Sequence, residues 1–194
     1  MKEPCQESKK RAACEEYVIY FAYLRIINVH HTLGHGPECR KNDTNMKIGD
    51  KAPEMLGRDQ DGNELKLDDF KGKKLVLYFY PKDSTPGCTT EACNLRDNYE
   101  RFLAQGYAVV GVSVQDEKSH KKFIEKHQLP FPLIADTEKT LNNAFGVWGE
   151  KSMYGRKYMG TFRTTFIIDE EGKIERIITP KEIKVKEHAW QILG

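Results

Sequence analysis

The sequence predicts an α/β fold, a mixed central sheet with helices on both faces, and three patterns carry that expectation. Lys74 to Tyr80 holds Leu75, Val76, Leu77, Tyr78, Phe79 and Tyr80 without a break, and Ala108 to Val114 is a second such run; both read as strands buried on two faces. Between them Ala92, Leu95, Tyr99, Phe102 and Leu103 recur at helical spacing, so strand, helix and strand follow as a parallel crossover unit. Toward the C-terminus, Thr164 to Ile168 and Ile174 to Ile178 flank Asp169-Glu170-Glu171-Gly172, which makes them an antiparallel hairpin.

The remaining elements fall in order around these. Met55-Leu56-Gly57-Arg58 and Glu64-Leu65-Lys66 enclose the turn dipeptide Asp61-Gly62, the mark of a small entry hairpin. After the second strand, Asp116 is placed to cap a helix running to about His127, and Phe131 to Ala135 follows as a short strand. Asp136 is expected to cap the next helix, which stops at Gly146. Gly149 to Gly160 reads as a loop, and Ile183 to Leu193 as a closing helix. No internal repeat or low-complexity tract interrupts the order.

The chain has 194 residues, a little over one ordinary domain, so one domain with an appendage is expected. Its 31 Lys and Arg against 29 Asp and Glu leave a net charge of +2, no electrostatic footprint for a nucleic acid. The longest apolar stretch, Tyr17 to Val29, carries Arg25 and is shorter than the roughly 18 residues a bilayer span needs, so no membrane span is expected. The 5 cysteines, Cys5, Cys14, Cys39, Cys88 and Cys93, are odd in number and accompany no convincing cleavable signal, which argues for a reducing, cytoplasmic setting.

The chain divides near Met46. Residues 1–45 alternate charged clusters, one apolar stretch and a polar run, and are expected to be a disordered extension or to lie upstream of the true start at Met46. His30, His31, His35 and Cys39 within them read as a solvated polar segment rather than a metal site.

The chemistry is concentrated in the stretch from Tyr80 to Cys93. It lies where the first buried strand ends and the first long helix begins, the edge at which open α/β sheets collect ligands. Thr85-Pro86 has the form of a helix N-cap and first position, which puts Cys88 in the first turn among backbone N–H groups without helical partners. Those donors and the positive end of the helix favour a thiolate, so Cys88 is the expected nucleophile.

Cys93 follows five residues later on the same helix. Helical geometry separates the two alpha carbons by about 8.7 Å. A disulfide tolerates at most about 6.8 Å. The pair can therefore bond only if the start of the helix unwinds, which suits a nucleophile and a separate resolving thiol joined after oxidation. Cys93 taken alone reads equally as a small buried hydrophobe. A zinc site on this pair has the wrong spacing and lacks further ligands nearby.

A thiolate needs a cation beside it. If the strand from Thr164 runs antiparallel to the one ending at Tyr80, Arg163 starts it at the same sheet edge as Cys88, and its guanidinium could fork between the sulfur and a bound oxygen species. An arginine at a strand end is otherwise an ordinary solvated cap. Arg156 and Lys157 are the weaker candidates. Pro81 on its own would be a strand terminator.

At these residues the sequence resembles the peroxiredoxins. Pro81, Thr85 and Cys88 fit the family pattern of Pro, three residues, Thr, two residues, Cys. The fuller runs Tyr78-Phe79-Tyr80-Pro81, Thr85-Pro86-Gly87-Cys88-Thr89-Thr90-Glu91-Ala92-Cys93, Phe145-Gly146-Val147-Trp148-Gly149-Glu150-Lys151 and Arg163-Thr164-Thr165-Phe166-Ile167-Ile168-Asp169 are similar to the bacterioferritin comigratory protein (PrxQ) branch. The resemblance spans Met46 to the C-terminus and implies a thioredoxin-like fold for residues 46–194. It implies reduction of hydrogen peroxide and organic hydroperoxides, with thioredoxin or a similar dithiol as electron donor, no metal, haem or flavin cofactor, and a monomer or weak dimer. Carried over residue by residue, Cys88 is the peroxidatic thiol and Cys93 the resolving one. Thr85, Pro81 and Arg163 form the peroxide pocket, with Pro81 shielding the sulfur from water, and Glu91 orients the arginine. The rivals are a thiol–disulfide oxidoreductase on the same fold and a non-enzymatic interaction protein using Tyr17 to Val29.

Overall fold

The computed structural model describes residues 46–153 and 155–194. The readings placed on residues 1–45, including the extension itself, the Tyr17 to Val29 stretch and the histidine-rich run, lie outside the described residues. Among the described residues, no helix is long and apolar enough to cross a membrane.

The entry hairpin forms as expected: β1 (Met55–Arg58) pairs antiparallel with β2 (Glu64–Lys66), and a short 3-10 turn follows at Leu67–Phe70. The central sheet has five strands, in the spatial order Leu133–Ala135, Tyr107–Ser113, Lys74–Phe79, Thr164–Ile168 and Ile174–Ile178. In it β3 (Lys74–Phe79), β4 (Tyr107–Ser113) and β5 (Leu133–Ala135) run parallel. The strands β8 (Thr164–Ile168) and β9 (Ile174–Ile178) close it antiparallel. Both faces of β3 are buried. Val76, Tyr78 and Tyr80 join one apolar cluster with Leu95, Phe102, Phe123 and Ile192 from covering helices. Leu75, Leu77 and Phe79 join the other with Leu56, Leu141, Phe145 and Phe166. Two-sided burial is why this strand reads as a continuous apolar run rather than an alternating one.

The helical run between the first two buried strands is two helices rather than one, α1 (Pro86–Asp97) and α2 (Tyr99–Ala104). Asn98 causes the break: its backbone leaves the helical region, and its side-chain amide donates to the Asn94 carbonyl at 2.9 Å, taking the acceptor that the next helical turn would use. Leu103, expected on the buried stripe, is exposed. Helix α3 (Glu117–His127) starts as read, with the Asp116 carboxylate accepting the Ser119 N–H at 2.7 Å. Helix α4 (Thr140–Ala144) begins later than read, although Asp136 still serves its start by accepting the N–H groups of Leu141 (3.1 Å) and Asn142 (2.7 Å).

Two further expectations are corrected. The stretch read as a loop is a hairpin, β6 (Trp148–Met153) against β7 (Arg156–Thr161). Most of β7 faces solvent, so no apolar alternation marks it in the sequence. The closing helix, α5 (His188–Leu193), is a short one; Ile183 sits upstream in turns closed by Ile183 N–H to Thr179 carbonyl and Glu187 N–H to Lys184 carbonyl bonds.

Candidate active site

The sheet register decides which side chains meet. Phe79, the last residue of β3, stands opposite Thr164, the first of β8, so Arg163 and the loop leading into α1 share one edge. Thr85 is the N-cap of α1 in extended conformation and Pro86 its first residue; Cys88 therefore lies in the first turn, 2% exposed. One expected detail differs. The Thr85 hydroxyl does not cap the helix N–H groups but donates back to the Lys82 carbonyl at 3.1 Å, while the Thr85 carbonyl receives the first helical bond from the Thr89 N–H at 2.9 Å. Pro81 lies half-buried at the end of the strand.

Arg163 reaches the sulfur, and its fork closes on a carboxylate rather than on the oxygen species expected for it. Its Nη2 donates to Cys88 Sγ at 3.1 Å, and its Nη1 donates to the Glu91 Oε2 carboxylate. Burial opposes the guanidinium charge, but Glu91 and Cys88 outweigh it and hold the Arg163 pKa above its ordinary value. Glu91, on the same helix as Cys88, is fully buried. Burial pushes its pKa up to about 7, against the pull of Arg163. Its second oxygen, Oε1, finds no hydrogen-bond partner among the described residues and lies 3.8 Å from His188 Nε2, beyond hydrogen-bond range. His188 is itself buried, with Nε2 at 2.9 Å from Thr165 Oγ1, and burial lowers its pKa to about 4.

Cys93 is half-buried, further along α1, and both it and Cys88 are free thiols. It borders a shallow surface groove shared with Thr89, Thr90, Asn94, Asp97 and Lys186. An intact helix between two free cysteines is the arrangement whose bonding requires unwinding.

Arg156 and Lys157 are not brought to the site: both are exposed on β7, and Lys157 pairs with Glu150 at 2.9 Å. The hairpin instead contributes Lys151, whose Nζ donates to the Thr161 carbonyl at 3.0 Å and lies 5.7 Å from the Phe162 ring centroid. Burial, and then Arg163, lower its pKa while Cys88 raises it, which marks it as a second cation at the same edge. Sequence reasoning passed over it because only the hairpin register, Lys151 opposite Tyr158, turns it inward.

A second unread feature braces the loop before the helix. The buried Asp83 carboxylate accepts from Tyr80 OH at 2.7 Å and from Ser119 Oγ at 2.6 Å, and faces His120 Nδ1 at 2.9 Å. Burial alone would raise its pKa, but His120, Ser119 and Tyr80 outweigh burial and hold it below the ordinary value. Asp83 and His120 sit far apart in sequence, and no spacing rule joins them. Among the described residues, no group of three or more His, Cys, Asp or Glu is arranged to hold a metal ion.

Chemically, the edge offers a buried sulfur at a helix start, a guanidinium fixed against it by a buried carboxylate, and a second thiol out of reach until the helix opens. Comparison with known proteins converges on the same region. The AhpC/TSA family is matched over residues 48–177. Peroxiredoxin Bcp of Bacillus subtilis is 48% identical over 148 residues, covering 76% of this chain and 93% of that protein. Peroxiredoxin Bcp of Escherichia coli is 43% identical over 149 residues, covering 77% and 94%. Among solved structures, a PrxQ cysteine-to-serine mutant of Xylella fastidiosa superposes with a TM-score of 0.70 at 35% identity, covering 76% of this chain and 93% of that one. The bacterioferritin comigratory protein of Xanthomonas campestris, whose structure concerns its alkyl peroxide reduction activity, gives a TM-score of 0.65 at 38% identity, covering 70% and 85%.

Proposed function

This chain belongs to the AhpC/TSA family, as a thioredoxin-fold peroxiredoxin of the Bcp/PrxQ kind, and from that membership we propose how its own residues carry out thiol peroxidase chemistry. The family makes it an enzyme that reduces peroxides with electrons from a thiol reductant. Residues 46–194 are the catalytic unit in this proposal, with Cys88 the peroxidatic thiol. The single observation that carries the assignment is the Arg163 fork, 3.1 Å from the sulfur at one end and tied to buried Glu91 at the other.

The Cys88 thiolate attacks one peroxide oxygen in line with the O–O bond. The S–O bond forms as the O–O bond breaks, and the departing oxygen leaves as hydroxide or alkoxide and takes up a proton. Arg163 and the Cys88 backbone N–H stabilise the charge moving onto it, fixed donors that need no reorganisation at the moment of reaction, and the Thr85 hydroxyl joins them by turning from the Lys82 carbonyl to the bound peroxide. Pro81 keeps bulk water from the sulfur, and Glu91 holds the guanidinium plane in place. Cys88 is then a sulfenic acid. The start of α1 unwinds, the Cys93 thiol condenses with it to give an intrachain Cys88–Cys93 disulfide, and water leaves.

Hydrogen peroxide and organic hydroperoxides are the proposed substrates. The second class is supported by the alkyl peroxide reduction activity of the Xanthomonas campestris relative. Thioredoxin is the proposed reductant, reaching the disulfide from the groove beside Cys93. A cytoplasmic monomer or weak dimer completes the proposal. The test couples the reduced protein to thioredoxin, thioredoxin reductase and NADPH. Peroxide-dependent NADPH oxidation that vanishes in Cys88→Ser is expected; turnover that survives Cys88→Ser would overturn the assignment, and a wild-type protein idle with thioredoxin would overturn the reductant.

A further inference from the structure

We propose that the β6–β7 hairpin is the mount of Arg163, and that Lys151, on β6, is a positioning residue that fixes the arginine beside Cys88. The inference rests on the peroxidatic role of Cys88 and deepens the part given to Arg163.

The sheet does not by itself place Arg163. Pairing of β8 with β3 begins at Thr164, opposite Phe79, and pairing of β7 with β6 ends at Thr161, opposite Trp148. Phe162 and Arg163 are the two residues between these ladders. An arginine side chain has wide rotamer freedom. Catalytic geometry tolerates little of it, since a displacement of about 1 Å can cost on the order of a hundredfold in rate. The groups that hold residues 161 and 162 therefore decide where the guanidinium starts from.

Both residues are held by side chains as well as by backbone. The Thr161 hydroxyl donates to Asn142 Oδ1 at 2.8 Å, and Asn142 Nδ2 donates in turn to the Asp136 carboxylate at 2.8 Å, all three residues being buried. The Thr161 carbonyl accepts Lys151 Nζ at 3.0 Å. The Phe162 N–H donates to the Val147 carbonyl at 2.7 Å, and the Phe162 carbonyl accepts the Thr164 hydroxyl at 3.2 Å. Of these ties only the one from Lys151 has a charged donor, and charge-assisted hydrogen bonds are roughly twice as strong as neutral ones.

Two opposed glycines make room for that tie. Gly149 and Gly160 pair across the hairpin. A Cβ on Gly149 would lie 2.7 Å from the Phe162 ring, and a Cβ on Gly160 would lie 3.2 Å from Lys151 Cδ. Strand alternation puts Gly149 and Lys151 on one face of β6. The Phe162 ring and the Lys151 stem thus lie down where side chains are missing, and the ammonium stands 5.7 Å from the ring centroid, within cation–π reach. Glycine weakens a strand, and here the close approach of Phe162 and Lys151 requires it.

Charge adds direction to the tie. Burial and Arg163 lower the Lys151 pKa while Cys88 raises it, so the ammonium stands within the field of both reacting partners. A guanidinium that swung back over the hairpin would meet this like charge. Toward α1 it meets two acceptors, Cys88 Sγ and the Glu91 carboxylate. Lys151 therefore fastens the chain just before Arg163 and opposes the one swing that would take the side chain off the sulfur.

The test is a double-variant cycle on the full chain, read as the rate constant for single-turnover oxidation of the reduced protein by H2O2. Lys151→Met keeps the stem and removes the ammonium; it should slow oxidation about tenfold, part of the roughly hundredfold that full displacement costs. In an Arg163→Met background, where no guanidinium is left to place, the same change should cost less than about twofold. Lys151→Arg keeps the charge and the donor and should restore the rate to within about threefold of wild type. Gly149→Ala pushes on the Phe162 ring from the same face and should likewise lose its effect once Arg163 is gone. A Lys151→Met rate within about twofold of wild type would overturn the inference. So would a Lys151→Arg rate as low as that of Lys151→Met, or an equal loss with and without Arg163, since Lys151 would then act on Cys88 or on the fold directly. Wild-type protein whose Cys88 resists H2O2 would instead overturn the peroxidatic assignment beneath it.

Discussion

Replacing Arg163 with lysine keeps the positive charge and removes the fork. The guanidinium holds Cys88 Sγ at 3.1 Å through one nitrogen and the buried Glu91 carboxylate through another, and an ammonium cannot span both. Hydrogen bonds to charged partners are worth about 1.5–3 kcal/mol each. Losing one near the middle of that range, about 2 kcal/mol, slows oxidation of Cys88 on the order of thirtyfold, provided the bond strengthens as charge moves onto the leaving oxygen. Glu91→Gln removes the anchor's charge but keeps an acceptor and the cation, so its loss should be smaller, about tenfold or less. Because both changes act on one unit, the double variant should be little slower than Arg163→Lys alone. The assay is single-turnover oxidation of the reduced protein by H2O2, followed by rapid mixing, with melting curves as a control. An Arg163→Lys rate within about twofold of wild type would refute the electrostatic role given to the fork.

Cys93→Ser should permit one rapid oxidation, abolish cycling with thioredoxin and let Cys88 accumulate sulfinic acid by mass spectrometry. Gly111→Ala should destabilise the fold by about 1–3 kcal/mol in urea titration, since a Cβ there would lie 2.5 Å from a Leu133 methyl and 2.8 Å from the Tyr78 ring. Two buried groups set opposing pH slopes. His188 stays neutral in the fold down to about 4 while the unfolded chain takes its proton near 6.5, so its contribution is present above 6.5 and lost as pH falls toward 4. Glu91 keeps its proton in the fold up to about 7 against an ordinary 4.5, so its contribution is present at low pH and lost as pH rises through that window. His188→Gln should therefore unmask a urea midpoint that falls between pH 5 and pH 7, a slope of on the order of 1 kcal/mol per pH unit; a midpoint as flat as in wild type would contradict the Glu91 burial argument.

Much of the fold was legible because its strands are buried on both sides. Leu75 to Tyr80 left no other interpretation, and the turn chemistry of Asp61-Gly62 and Gly172 fixed both outer hairpins. The site was legible where chemistry depends on sequence neighbours: Thr85-Pro86 at a helix start places Cys88, and the antiparallel register places Arg163. What stayed hidden depends on surfaces and distant pairs. The β6–β7 hairpin buries little, so it left no periodic trace, and Lys151 went unseen with it. The helix break at Asn98 comes from one side-chain amide capturing a backbone carbonyl, which apolar periodicity does not register. The Asp83 and His120 pairing is created by packing α3 against the end of β3, and it exists only in three dimensions.

The most direct measurement is mass analysis of every cysteine-containing peptide after the reduced protein meets one equivalent of H2O2. Oxygen should be captured at Cys88 alone and pass into a bond with Cys93, and Cys88→Ser should leave the peroxide unconsumed. Capture at Cys5, Cys14 or Cys39 in its place, or undiminished peroxide loss in Cys88→Ser, would contradict the role given to Cys88.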